Sequence, residues 1–168
     1  GIVIASAKKS FVVGGDLKEL KALNTLEEAA RSIKTVQSCL RELELVPKPV
    51  VAAINGLALG GGLEVALACN YRIVAEDPRL KLGLPEVSLG LIPGAGGTQR
   101  LPRLIGLAAA LPILLEDRQV TGGRALEIGL VDEIVPASDL KIKAKEAILS
   151  GMALPRQPWE GEGFVMPG

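Results

Sequence analysis

The sequence predicts an α/β domain in which short buried strands alternate with helices, and three observations carry that expectation. Runs of β-branched and apolar residues, too short for helices, recur along the chain. Stretches with apolar residues at three- and four-residue spacing separate them. Glycine pairs and triplets follow the strands, where the backbone must turn sharply or approach a ligand. This alternation calls for crossover connections, although glycine-rich turns are more frequent than a plain doubly wound sheet requires.

Ile2-Val3-Ile4-Ala5 reads as a buried strand, and Phe11-Val12-Val13 as a second one that ends in Gly14-Gly15. Asp16 is expected to open a short helical turn. Asn24-Thr25 offers an N-cap with Glu27 and Glu28 in the first turn. Ile33, Val36, Leu40 and Leu43 then mark a helix of about five turns that stops before Pro47. Pro49-Val50-Val51-Ala52-Ala53-Ile54 has the composition of a strand buried on both faces, and it leads through Asn55-Gly56 toward Gly60-Gly61-Gly62. A helix is expected from Leu63 to Cys69, short strands from Tyr71 to Val74 and from Leu80 to Leu82, and a turn at Pro85-Glu86. The run Pro93-Gly94-Ala95-Gly96-Gly97 precedes a helix from Thr98. Further helices are expected over 107–115 and 124–128, a strand over 131–135 and a helix over 138–150. From Gly151 to Gly168 the periodicity is lost among three prolines and four glycines, so a linker or arm is expected after a domain of residues 1–150.

A chain of 168 residues with 48% apolar content can bury one sizeable core. Its 19 basic and 19 acidic residues cancel, which leaves no electrostatic footprint of a nucleic-acid or membrane-surface binder. The few aromatic residues argue against base-stacking platforms. The longest apolar stretch, Pro49 to Leu63, is broken by Asn55 and glycines, so no membrane span is expected. No basic segment with a following apolar region marks a leader. The first residue, Gly1, enters a strand-like run directly, as in a chain cut from a longer one. Two cysteines, Cys39 and Cys69, do not make a disulfide framework, and a reducing compartment is expected. With no histidine, a Ser-His-Asp triad, a His–thiolate pair and a histidine-bearing metal site are all excluded. Proton transfer must fall to carboxylates, lysines, Tyr71 or the thiols.

Gly60-Gly61-Gly62-Leu63-Glu64 places bare backbone N–H groups where a strand hands over to a helix, at the positive end of its dipole. Glu64 lies one turn inside, among apolar neighbours, and reads either as a solvated first-turn residue or as a buried acid. Glu86, between Leu84-Pro85 and Val87, reads either as a surface turn residue or as its partner. Two carboxylates facing one pocket would shift each other's titration and supply an acid and a base without histidine. Gly94-Ala95-Gly96-Gly97-Thr98 and Gly60-Gly61-Gly62 match neither a P-loop nor a dinucleotide-binding spacing. Arg100 and Arg103 read as a solvated helix face or as phosphate contacts.

Four stretches taken together resemble the crotonase (enoyl-CoA hydratase/isomerase) superfamily. They are Phe11 to Leu17, Pro49 to Glu64, Leu84-Pro85-Glu86 through Gly94-Ala95-Gly96-Gly97-Thr98-Gln99-Arg100, and Thr121-Gly122 through Ala125 to Asp132. Any one glycine run is weak, whereas the set in this order across residues 1 to 150 is highly specific.

The resemblance implies a spiral of ββα units, here truncated at both termini, because the family's first strands and its C-terminal helices have no counterpart. It implies an oxyanion hole formed by the N–H groups of Gly15 and Gly61, and catalytic acids at Glu64 and Glu86. Val13, Asp16, Leu17, Gly60, Pro85 and Gly94 would contact the substrate. Where the family more often has alanine, this chain has Gly15. The implied activity is hydration of 2-enoyl-CoA in fatty acid β-oxidation, with Δ3,Δ2-isomerisation, another crotonase reaction or a CoA-binding fragment without turnover as alternatives. No metal and no cofactor are implied, since coenzyme A is part of the substrate. The implied assembly is a homotrimer, or a module of a multifunctional chain with 3-hydroxyacyl-CoA dehydrogenase. The compartment would be cytoplasmic in a bacterium, and mitochondrial or peroxisomal in a eukaryote.

Overall fold

The computed structural model describes residues 1–15 and 22–168. Among the described residues, seven short strands form two parallel sheets. β1 (Ile2–Ala5), β3 (Val50–Ile54), β5 (Tyr71–Ala75) and β7 (Glu133–Val135) build the larger, in the order β1-β3-β5-β7. β2 (Val12–Val13), β4 (Ala58–Leu59) and β6 (Leu82–Gly83) build the smaller, in the order β2-β4-β6. Each successive strand pair gives one strand to each sheet before the chain turns helical, so every pass advances the spiral by one strand.

All five residues of β3 are buried, as its unbroken apolar run requires. Its side chains alternate between two cores. Val50, Ala52 and Ile54 face a cluster with Leu63, Leu67, Leu82, Leu84 and Leu101, while Val51 and Ala53 face Ala144 and Ala147 of α6 (Leu140–Leu149).

α1 (Leu26–Leu45) follows the small-sheet strand β2. It starts as its sequence predicts: the Thr25 hydroxyl accepts from the Glu28 N–H at 3.1 Å, and the Glu28 carboxylate accepts from the Asn24 N–H at 2.9 Å. α2 (Gly61–Ala68) starts two residues before the expected Leu63, because Gly60 turns the chain at φ 56° and ψ −129°. After β6 come a 3-10 turn (Pro85–Leu89), α3 (Gly97–Ile105), α4 (Leu107–Leu115) and α5 (Gly122–Glu127).

Two expectations change. β6 runs over Leu82–Gly83 rather than 80–82, because its partner β4 supplies only Ala58 and Leu59 for pairing. Arg100 is neither solvated nor free for phosphate. It is buried, its Nε and Nη2 donate to Glu44 of α1 at 2.8 and 3.0 Å, and its Nη1 donates to the Ala95 carbonyl at 2.7 Å. Such a pair is tolerated in an apolar setting because both ions are hydrogen-bonded.

In the segment 151–168, Gln157 is fully buried and its Nε2 donates to the carbonyls of Ala68 and Cys69 at 3.0 and 3.2 Å, at the C-terminus of α2. Glu160 accepts from Arg41 of α1 at 2.8 Å. Among the described residues, no helix is long and apolar enough to cross a membrane.

Candidate active site

The register of the small sheet assembles the site. Val13 pairs with Leu59, and Leu59 with Gly83. One or two residues beyond those pairs, Gly14-Gly15, Gly60-Gly61 and Pro85-Glu86 all leave the carboxyl edge of the same three strands, where parallel α/β sheets bind ligands. The first Gly of each pair is held: the Gly14 N–H donates to Leu59 O at 2.7 Å and the Gly60 N–H to Gly83 O at 2.9 Å. Among the described residues, the N–H groups of Gly15 and Gly61 have no acceptor. Gly61 is the first residue of α2, where no intrahelical partner exists and the helix dipole favours negative oxygen. The two backbones are close, with the Cβ position of Gly61 3.9 Å from the Gly15 nitrogen.

A cavity of about 260 Å³ opens there, lined by Val13, Gly14, Gly15, Leu59, Gly60, Gly61, Pro85, Glu86, Leu89 and Leu91. Apolar walls with bare N–H groups and one carboxylate suit a neutral substrate that develops oxyanion charge.

Glu86 enters the cavity from the 3-10 turn. Its Oε1 lies 2.9 Å from where a Cβ on Gly60 would sit, so this strained glycine also makes room for the acid. Its Oε2 is buried without a hydrogen-bond partner. Burial raises the Glu86 carboxyl above the ordinary carboxylate range; its own backbone N–H opposes this, and the charges of Glu64 and Asp117 add to it.

Glu64 stands behind the cavity, only 2% exposed. Its Oε1 accepts from the N–H groups of Ala95 and Gly97, each at 2.8 Å. Burial raises this carboxyl as well, but the Gly97 and Ala95 N–H groups and the Arg100 charge stabilise its ionised form. Arg100 acts twice, because it also holds the carbonyl of Ala95. The two acids therefore sit in different surroundings: donors around Glu64 favour the carboxylate, and like charges around Glu86 favour the acid.

Of the residues singled out in the sequence, Val13, Gly15, Gly60, Gly61, Pro85 and Glu86 share the cavity wall. Gly94 is placed elsewhere, its carbonyl accepting from Gln37 of α1 at 2.7 Å. Asp16 and Leu17 lie outside the described residues. Sequence reasoning did not single out Leu59, Leu89 or Leu91 as wall residues, and an apolar residue beside a glycine run carries no signal that separates wall from core. Gly14 was legible only as half of a glycine pair, yet it carries the positive φ, 67°, that aims Gly15.

The family model described as enoyl-CoA hydratase/isomerase matches residues 1–155. The fatty acid oxidation complex subunit alpha of Shewanella loihica is 49% identical over 159 residues, covering 94% of this chain. The subunit of the same name from Shewanella halifaxensis is 49% identical over 152 residues, covering 90%. The chain spans 22% of the length of each of these curated relatives. Among solved structures, an enoyl-CoA hydratase from Bacillus anthracis is 42% identical with a TM-score of 0.82, over 89% of this chain and 57% of that one. DspI of Pseudomonas aeruginosa is 35% identical with a TM-score of 0.82, over 88% and 56%. The fold thus has counterparts among solved structures and the sequence among curated relatives, and the chain belongs to the enoyl-CoA hydratase/isomerase family.

Proposed function

We propose that this chain adds water across the double bond of a 2-enoyl-CoA thioester as the hydratase part of a larger fatty acid oxidation protein. The thioester carbonyl accepts from the N–H groups of Gly15 and Gly61. Glu64, in its carboxylate form, takes a proton from water as the water oxygen bonds to C3. The π electrons move toward the thioester oxygen, and the enolate collapses as Glu86 delivers its proton to C2. The product is a 3-hydroxyacyl-CoA, and the proton left on Glu64 re-equilibrates through solvent. Preorganised donors of this kind contribute roughly 3–4 kcal/mol each to the transition state. The coenzyme is part of the substrate, and the reaction needs neither a metal nor a redox cofactor.

The observation that carries this reading is the convergence of two unpaired N–H groups and the unpartnered Oε2 of Glu86 on one apolar cavity. A second reading has a specific observation in its favour: only Glu86 of the two acids lines the cavity, which suits proton shuttling between C2 and C4 in 3-enoyl to 2-enoyl isomerisation. The assembly fits a multifunctional chain, since the Shewanella relatives are subunits of an oxidation complex and extend well beyond this match. Within it, residues 1–150 would form the catalytic module, alone or as a trimer, and 151–168 the arm leading onward.

The deciding experiment follows the enoyl-thioester absorbance of crotonyl-CoA with this chain, with a version extended at both ends, and with the extended version carrying Glu86→Gln. Hydration by the intact form that collapses in the variant supports the hydratase. A folded extended chain that binds CoA but consumes only 3-enoyl-CoA establishes the isomerase instead. Binding without any turnover leaves a CoA-binding module.

A further inference from the structure

The loop after α4 holds an acid that the proposed hydration chemistry does not use. Asp117 is the one non-glycine residue at positive φ among the described residues, at 52°. A left-handed backbone is unfavourable for a residue with a Cβ, less so for Asp and Asn, and persists where surrounding bonds over-determine it. Here the N–H groups of Glu116 and Arg118, on either side, donate to the Pro112 carbonyl of α4, and the side chain of Asp117 is bound to the segment that carries Glu86. Ser88, in the same 3-10 turn as Glu86, donates its hydroxyl to Asp117 Oδ2 at 2.7 Å. A few residues on, the backbones of Val120 and Leu82 exchange hydrogen bonds of 2.8 and 2.9 Å. The loop therefore grips the segment before Glu86 at Leu82 and after it at Ser88.

Asp117 Oδ1 is buried without a partner, as is Oε2 of Glu86. Among the described residues, the charged groups facing Glu86 are Glu64 from α2 and Asp117 from this loop. Its other neighbours on the cavity wall, from β2, β4 and the glycine turns, are uncharged.

We propose that Asp117 is a positioning residue for Glu86, clamping the acid's turn through Ser88 while setting a fixed negative charge beside it. The inference rests on the reading of Glu86 as the proton donor to C2. A fixed like charge favours the protonated acid and so keeps the donor loaded toward neutral pH.

The test uses the extended chain with 13C-carboxyl-labelled glutamate, the Glu86 resonance being the one lost in Glu86→Gln. Asp117→Asn keeps an oxygen for Ser88 and tolerates the left-handed backbone, but removes the charge. Asp117→Gly removes both and adopts that backbone without strain. Ser88→Ala keeps the charge and removes the clamp. The expected result is a Glu86 titration, and an alkaline limb of kcat/KM with crotonyl-CoA, that move to lower pH in both Asp117 variants and stay in place in Ser88→Ala. Ser88→Ala should instead lose roughly tenfold in kcat, inside the hundredfold range of a small misplacement. A Glu86 titration unchanged in both Asp117 variants overturns the proposal. Wild-type turnover in Glu86→Gln overturns the reading of Glu86 as the proton donor instead, and the titration still decides whether Asp117 acts on Glu86.

Discussion

The two sheets of this domain divide its labour. β3 of the large sheet is buried along its whole length, between two apolar clusters, and its backbone groups are committed to β1 and β5. Strands of the small sheet are two residues long, both residues of β2 are exposed, and the N–H groups of Gly15 and Gly61, two residues beyond β2 and β4, have no acceptor among the described residues. One sheet excludes water and supplies stability. The other stops pairing one residue past β2 and β4, so that the N–H groups that follow are left for a ligand. Unsatisfied backbone is a cost everywhere except where a substrate oxygen will complete it.

The sharpest test of that division is a crossed pair of substitutions. Glu64→Gln keeps an oxygen for the Ala95 and Gly97 N–H groups, so turnover with crotonyl-CoA should fall by about 10²–10⁴ while the denaturation midpoint holds or rises. Ile54→Ala in the large sheet empties a fully buried site and should cost about 2–5 kcal/mol in urea unfolding, with kcat per folded molecule unchanged. Equal losses of both properties in either variant would break the comparison.

Gly62→Ala strikes where the regions meet. A Cβ there lands on the backbone carbonyl of Val12, which cannot swing aside as a side chain could. Overpacking of this kind costs about 1–3 kcal/mol, and the displaced β2 should carry Gly15 out of line, so stability and turnover fall together. Unimpaired turnover would show that Gly15 is positioned by something other than β2.

A pH series measures what the site costs the fold. Burial raises the carboxyls of both Glu64 and Glu86, so the folded state keeps those protons to higher pH than the unfolded chain. Their contribution to stability is therefore greatest in acid, falls as pH rises from the ordinary carboxylate range through the raised folded values, and is level above them. Urea midpoints from about pH 4 to pH 8 should show this fall, made shallower by Glu86→Gln. An identical pH profile in that variant would mean Glu86 ionises alike in both states.

The smallest effect is expected at Gly15→Ala. Among the described residues, nothing lies within 4 Å of a Cβ there, and the positive φ belongs to Gly14 instead. Alanine should keep turnover and raise stability by about 0.4–1 kcal/mol through the unfolded chain. The same change at Gly14 should lose both.

Long regular segments were legible in the sequence. α1 was written in the spacing of Ile33, Val36, Leu40 and Leu43 behind the Thr25 cap, and β3 in an uninterrupted apolar run. The helix over 107–115 was read with its observed bounds. The small-sheet strands were blurred, because two residues show no period; β6 was placed one residue early, and its pairing depends on β4. Arg100 was misread, because its partner Glu44 lies far away in the sequence, on another helix.

By itself the sequence determined the class of chemistry. Without histidine, proton transfer was left to groups such as Glu64 and Glu86, and the glycine runs marked where bare N–H groups would lie. Only the tertiary structure decided which of these meet. The ladder register of two-residue strands sets Gly15 beside Gly61 and brings Glu86 to the same cavity. Burial raises both carboxyls, but the Gly97 and Ala95 N–H groups pull Glu64 back toward its ionised form, while the charges of Glu64 and Asp117 add to the rise at Glu86. A residue's identity fixes which proton it can hold, but desolvation and neighbouring charge fix when it holds it, and both depend on contacts between segments far apart in the chain.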